Sequence, residues 1–411
     1  MRVAIVHYWL VSMRGGEKVV EQLCKMFPQA DIHTLVVDPS ALSERLRAHR
    51  IVPSALQRLP GARRHYKSLL PLMPHALESM DLSDYDVVIS SESGPAKGIV
   101  PRPDALHVCY CHSPMRYLWD QFHEYRAHAG FVSRLAMSAL GPRLRQWDVA
   151  SAARVDAFVA NSAHVADRIE SYWRRRADVI HPPVAVSEFA SARAPKGDFY
   201  LCAGQLVRYK RVDLAVEAFT KSGRRLVVIG AGEEERRLRA MAGPNVTIMG
   251  PQPFDVLRDH LARARALVFP GEEDFGIVPV EAMASGTPVI AFGRGGALET
   301  VRDGETGVLF SEQSVESLDE AVRRFEASRF DADRMLVHAR GFDASVFRDR
   351  MTRFIEERLE QRRARAAPRR AAVRWAGAPD RTAVPEPITV PGLAPAPVAA
   401  AASRPAAMEV A

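Results

Sequence analysis

Cysteine is scarce in this chain. Four occur in 411 residues, and no CxxC spacing appears, which argues against a zinc ribbon or a dithiol redox centre. Cys109 and Cys111 lie two apart in an apolar run, so on a strand they share a face and are poorly placed to bridge. All four read as structural, reduced thiols. Long apolar runs are missing too. None approaches the roughly 18–20 residues that a membrane span needs. The opening run Met1–Leu10 is short, includes His7, and has no small-residue cleavage site before Gly15 and Gly16. It reads as a first strand and not as a signal peptide. The expected location is therefore the cytoplasm, with peripheral attachment to the inner face of the cytoplasmic membrane left open. A strong excess of one charge is also absent. Lys+Arg 56 against Asp+Glu 49 gives +7. That bias favours anionic partners without being a nucleic-acid signature, and no nucleic-acid partner is expected.

What is present is an ordinary soluble composition, 47% hydrophobic and 26% charged, on a chain long enough for two or three domains. From about Ala364 the sequence turns to Ala, Pro and Arg, and residues 364–411 read as a disordered tail. The tail holds six Arg against Asp380, Glu386 and Glu409, so it carries +3 of the total +7. Before it, short β-branched runs alternate with amphipathic helical stretches. Expected strands are Val3–Tyr8, Ile32–Val37, Val87–Ser90, Leu106–Cys111 and Ala157–Ala160. A second series follows a Pro-containing connection: Tyr200–Ala203, Arg225–Ile229, Val246–Met249, Leu267–Pro270, Val289–Phe292 and Val308–Phe310. Buried strands alternating with helices predict parallel sheets covered on both faces. The expected fold is α/β, two facing Rossmann-like doubly wound domains with a cleft between them. The expected boundaries are 1–190 and 197–342, with a terminal helix at 343–363 returning to the first domain.

Three segments carry candidate chemistry. Ser12-Met13-Arg14-Gly15-Gly16-Glu17 follows the first strand and opens a helix. Its glycines allow close backbone approach, and the helix start offers free N–H groups to an anion. A tight turn alone would also use them. A look-alike, Gly230-Ala231-Gly232-Glu233-Glu234-Glu235, lacks the third glycine of a dinucleotide fingerprint and would repel a pyrophosphate; it reads as a plain turn. The segment Gly204–Asp213 places Arg208, Lys210 and Arg211 at a strand's carboxyl end, where cations are costly without an anion. The segment Pro270–Gly286 holds Glu273 and Glu281 eight apart, the latter among apolar neighbours and in need of partners. The cluster Glu272-Glu273-Asp274 brings no His and no second spaced carboxylate pair, so no metal is expected.

These motifs together resemble the retaining glycosyltransferases of family 4, whose two domains form the arrangement called GT-B. Glu273 to Glu281 matches that family's Glu, seven residues, Glu motif. Phe275-Gly276-Ile277, the run Glu281–Val289 and the run Leu206–Asp213 match as well, and Asn161-Ser162 fits. Cys111-His112-Ser113-Pro114-Met115-Arg116-Tyr117-Leu118-Trp119-Asp120 resembles the branch containing many mannosyltransferases of bacterial polysaccharide assembly. The resemblance covers about residues 1–360. It implies that Gly15 and Gly16 lie against the donor's phosphates or the acceptor, and that His112 lies by the transferred sugar. It places Lys210 on the donor diphosphate, Glu273 on sugar hydroxyls and Glu281 on the ribose. The amides of Phe275, Gly276, Ile277 and Val278 would face the diphosphate. The family usually has Arg where this chain has Gln205; Arg208 or Arg211 is expected to supply that charge. Asp274 replaces the more usual Gly.

The implied reaction moves a hexose from a nucleotide diphosphate sugar, GDP-mannose first and UDP-hexoses next, to a glycan or lipid-linked acceptor with retention. No cofactor is implied. Arg58, Arg63, Arg64, His65 and Lys67, beside Leu69, Leu70, Leu72 and Met73, suit an anionic membrane surface or a lipid diphosphate; a solvated amphipathic helix would look the same. A sugar-nucleotide epimerase, a phosphorylase or a non-catalytic component of an assembly complex are the other readings.

Overall fold

Strands buried on both faces need cover on both, and that requirement organises the chain. The computed structural model describes residues 1–192 and 194–372, with side chains to 364. Seven strands form a first sheet: β1 (Val3–His7), β2 (Asp31–Thr34), β3 (Ile51–Pro53), β4 (Val87–Glu92), β5 (Leu106–Cys111), β6 (Ala157–Ala160) and β7 (Ala177–Val179). Their order is β3-β2-β1-β4-β5-β6-β7, and every pairing is parallel. Successive residues of a strand point to opposite faces. Val3 and Ile5 accordingly pack with Val19, Val20 and Leu23 of the next helix, Gly15–Met26. Ala4 and Val6 pack on the other side with Met73 and Leu77.

The second sheet repeats the plan. It contains β8 (Phe199–Ala203), β9 (Arg225–Ile229), β10 (Val246–Gly250), β11 (Leu267–Phe269), β12 (Val289–Phe292) and β13 (Gly307–Phe310). The order is β10-β9-β8-β11-β12-β13, again parallel throughout. Tyr200 and Cys202 face one core, and Leu201 faces the other. The two doubly wound sheets expected from the sequence are therefore present. The sequence pattern did not reveal β3 and β7. Each has three residues and sits at an outer edge, where Pro53 can be tolerated because an edge strand leaves N–H positions unpaired.

Of two local readings, one changes and one stands. The stretch from Leu56 to Leu77 is not one amphipathic helix. It is broken into Ala55–Arg58, Ala62–His65, Tyr66–Leu72 and Met73–Glu78, with Gly61 at φ +72° and Pro71 inside the third piece. Gly230 does serve a plain turn. A Cβ there would fall 1.8 Å from the Gly204 carbonyl oxygen, so the glycine is required by the neighbouring loop and not by a phosphate.

The last helix, Ala344–Ala372, continues past Ala364, where the tail was expected to begin; residues 373–411 of that tail lie outside the described residues. Phe347, Met351, Phe354 and Ile355 enter the first sheet's core beside Ile5, Val108 and Val159. Beneath the end of β4 lies a polar knot. The fully buried Lys97 pairs with Asp148 and lies 4.0 Å from Glu92. Asp148 also accepts from the indole N–H groups of Trp119 (2.8 Å) and Trp173 (2.7 Å). Burial pushes the Glu92 carboxyl up to about 8, against the pull of Lys97. A buried charge stripped of its partner is costly, so these groups hold one another in place.

Truncating the returning helix tests its anchoring role. Phe347→Ala should cost about 3–5 kcal/mol in urea unfolding at neutral pH, the usual range for a buried aromatic. Arg353→Ala, on the helix's exposed face, should stay within about 0.5 kcal/mol of the parent.

Candidate active site at the facing strand ends

In each sheet the strand order reverses once in the middle, between β1 and β4 and between β8 and β11. Crossovers leave such neighbours toward opposite faces, so the loops part and leave a crevice beyond the carboxyl ends. Arg14, Gly15 and Gly16 follow β1, Ser93 follows β4, and His112 and Arg116 follow β5. Gly204, Gln205, Tyr209 and Lys210 follow β8, and Glu273 through Val278 follow β11. Together they line one cleft of about 460 Å³. Two helices begin at it, Gly15–Met26 and Ile277–Ala284. Their first turns present unpaired N–H groups and positive dipole ends.

Opposite charges meet across the second sheet's loops. Lys210 Nζ lies 2.8 Å from Glu273 Oε1. Burial alone would lower the Lys210 ammonium, but the Glu273 carboxylate more than offsets it and holds the lysine above its usual range. Gly271 makes this approach possible. A Cβ there would lie 2.6 Å from Lys210 Cα. Glu281 is buried on the Ile277–Ala284 helix, 3.4 Å from Lys18 Nζ. Burial raises its carboxyl, with Lys18 pulling the other way.

The first sheet contributes neutral groups. His112 Nε2 is 2.8 Å from Ser91 Oγ, which lies 3.0 Å from His7 Nδ1. The His112 backbone N–H donates to the Glu92 carbonyl at 2.7 Å. Burial lowers His112 to about 4 and, with the neighbouring His112 adding to it, lowers His7 to about 3. Both rings are uncharged at neutral pH.

The family models match in the same order as the domains. One described as "Glycosyltransferase Family 4" matches residues 13–188, and one described as "Glycosyl transferases group 1" matches residues 186–341. The chain belongs to glycosyltransferase family 4. Among curated relatives, it is 31% identical over 250 residues to the D-inositol 3-phosphate glycosyltransferase 1 of Catenulispora acidiphila, covering 52% of this chain and 60% of that one. It is 30% identical over 237 residues to the GDP-mannose-dependent alpha-(1-6)-phosphatidylinositol monomannoside mannosyltransferase of Mycobacterium tuberculosis, covering 48% and 61%. The chain thus spans less than two thirds of the length of these relatives. Solved structures share the GT-B fold. Anabaena HepE in complex with UDP superposes with a TM-score of 0.64 at 14% identity, covering 87% of this chain and 100% of that one. The sucrose-phosphate synthase of Thermosynechococcus elongatus gives 0.66 at 18% identity, covering 87% and 99%.

Most family-motif residues expected at the site come together in the cleft: Gly15, Gly16, His112, Gln205, Lys210, Glu273, Phe275, Gly276, Ile277 and Val278 all line it. Arg208, Arg211 and Glu281 are not among its lining residues. Arg208 turns to His128, and Arg211 Nε donates to Asp213 at 3.2 Å. The guanidinium beside Gln205 is that of Arg14, from the first domain. With the Gln205 amide oxygen turned toward it, Arg14 donates at 2.9 and 3.2 Å. Arg14, Arg116, Ser93, Asn161, Tyr209 and Asp274 also line the cleft and were not singled out as site residues. The signal was partial, since Arg14 and Arg116 lie inside motifs already marked. Among the described residues, no group of three or more His, Cys, Asp and Glu side chains could hold a metal ion.

The two histidines predict a pH response. Their folded values lie below the ordinary 6.5, so the unfolded chain takes up protons first as pH falls. Both rings withdraw stability between about pH 6.5 and 4. Ring proton resonances of His7 and His112 should therefore stay in the neutral form from pH 8 to 5. A His112 midpoint near 6.5 would show that the ring is solvated.

Proposed function

We propose that this chain is a retaining hexosyltransferase, moving mannose from GDP-mannose to a hydroxyl of a glycan or lipid-linked acceptor in cell-surface polysaccharide assembly. One observation carries the reading. The Lys210–Glu273 pair, two helix N-termini and the neutral His112 converge on one cleft at the facing strand ends. Such a cleft offers cations and N–H groups to a diphosphate, and acceptors to sugar hydroxyls.

On this reading, donor binding separates Lys210 from Glu273. The ammonium moves to the diphosphate, and the freed carboxylate accepts from the sugar. The amides of Phe275 to Val278 face the diphosphate, Gly15 and Gly16 approach it or the acceptor, and Glu281 takes the ribose diol. His112, uncharged and held through Nε2 by Ser91, leaves Nδ1 for a sugar hydroxyl and acts by position, not by charge. The anomeric carbon–oxygen bond to the diphosphate breaks as the acceptor oxygen attacks from the same face. The departing diphosphate oxygen takes the acceptor's proton. The protein contributes orientation and stabilises leaving-group charge. Arg14 takes the place of the family's Arg at Gln205. Support for mannose comes from the His112–Asp120 run and from the relative named as GDP-mannose-dependent.

An anionic acceptor or membrane surface has support in placement. Arg58, Arg63, Arg64, His65 and Lys67 are all exposed, whereas Leu69 and Leu70 are half-buried and Met73 is buried. Leu59 and Leu72 are exposed beside these cations, and further exposed apolar side chains gather at Phe131, Val132 and Leu135. No described helix is long and apolar enough to cross a membrane.

A thermal-shift panel with GDP, UDP, ADP and their sugar forms tests the donor. Stabilisation by GDP and GDP-mannose alone is the expected outcome; stabilisation by UDP alone would replace mannose as the first choice. Lys210→Ala and Glu273→Gln should each lower turnover by roughly 10²-fold or more, the scale of a lost preorganised electrostatic contact. Arg14→Ala should weaken nucleotide binding about tenfold, while Arg208→Ala and Arg211→Ala change it by less than about twofold. Equal losses at all three would return the charge to the β8 loop.

A further inference from the structure

One guanidinium bridges the two sides of the cleft. Arg168 lies on the helix Ala163–Trp173 of the first domain and is 8% exposed. Its Nη1 donates to Ser113 Oγ at 3.1 Å and also to the Asp274 carboxylate of the second domain. Its Nη2 donates to the Asp120 carboxylate, which Arg116 Nε reaches at 3.1 Å. Ser162 Oγ, at the cap of the same helix, donates to the Asp274 carbonyl at 2.5 Å. A guanidinium this buried needs its carboxylates, and its rigid fork fixes where they stand.

The neighbours of these partners give the arrangement its meaning. Ser113 follows His112, and Asp274 follows Glu273. Arg168 therefore holds, through adjacent residues, the two side chains expected on either side of the transferred sugar. A second tie lies close by. Glu299 of the second domain accepts the Ala163 N–H at 3.0 Å and the His164 N–H at 3.3 Å, and its other contact is His181 Nε2 at 3.0 Å.

We propose that Arg168 and Asp274 form an interdomain latch that sets the spacing between His112 and Glu273, making both positioning residues. A glycine at 274 has no side chain to offer, so the latch belongs to chains with a carboxylate there. The inference rests on the glycosyltransferase reading for its functional meaning, but the latch itself is a statement about geometry.

The test separates the two. All four native cysteines are buried, so nitroxide labels can be directed to Ser68→Cys in the first domain and Lys221→Cys in the second, both exposed positions. Pulsed electron–electron distance measurements would compare the parent with Asp274→Asn, Arg168→Gln and the double variant, without nucleotide. Asp274→Asn keeps the side chain's shape and should fold even where Arg168→Gln does not. The expected result is a longer or broader distribution for Asp274→Asn, with Arg168→Gln adding nothing to it in the double variant. A superimposable distribution for Asp274→Asn overturns the latch. The same samples are assayed by thermal shift with GDP and UDP. With the latch intact in the distances, failure of every nucleotide to stabilise the parent overturns the glycosyltransferase reading alone. In a turnover assay, a positioning role lowers kcat of Asp274→Asn about tenfold or more with donor KM changed less than about threefold. Equal changes in both would assign Asp274 to donor binding and overturn positioning.

Discussion

A parallel strand cannot turn straight back on itself. Each one must leave by a crossover, and every crossover in a sheet starts from the same edge. That constraint governs the whole described chain. Both sheets are parallel throughout, so each gathers its loops at one edge, and the two edges contribute to one cleft. Loops there carry the polar residues that the buried strands cannot. The separation of labour is nearly complete: apolar runs build the layers, and the loops after β1, β4, β5, β6, β8 and β11 supply the polar side chains of the cleft.

The cleft's charges are arranged in small, mutually dependent groups. Lys210 remains charged because Glu273 faces it, and behind the lining Glu281 has Lys18. The histidines stay neutral because they are buried, and Ser91 links the two rings. Arg14 lies against an uncharged amide, Gln205, and is exposed. It is consequently the cation in the cleft least committed to a carboxylate, which suits an incoming diphosphate better than a guanidinium already paired.

Both sheets were legible because many of their strands are apolar runs bounded by turns, as at Ala157–Ala160 and Val289–Phe292. The edges were not, since three residues such as Ala177–Val179 carry too little pattern to stand apart from a loop. The motifs marked Lys210, Glu273 and His112, and all three line the cleft. The charge beside Gln205 was sought in the same loop, at Arg208 and Arg211, because sequence proximity was the sole guide. Its partner comes from the opposite domain, and only the facing of the two edges brings Arg14 to it. Asp274 reads in the sequence only as a departure from Gly, because its partner Arg168 lies more than a hundred residues earlier, on a helix whose pattern marks a structural element and no ligand. The single helix that Leu56–Leu77 also allowed does not form, because Gly61 and Pro71 break the pattern that its leucines suggest.

The buried knot of Lys97, Asp148 and Glu92 has one more consequence. It joins the end of β4, the long helix Phe131–Ala152 and the indole of Trp173, while the Glu92 carbonyl holds the His112 N–H. Removing either Lys97 or Asp148 would strand its partner's charge in an apolar layer. Apart from the carboxylates that hold Arg168, the exposed residues of the loops above it carry no such penalty. Diversification of this chain among new sugars would thus be free at the rim and frozen beneath His112, so that the platform outlasts the specificities built on it.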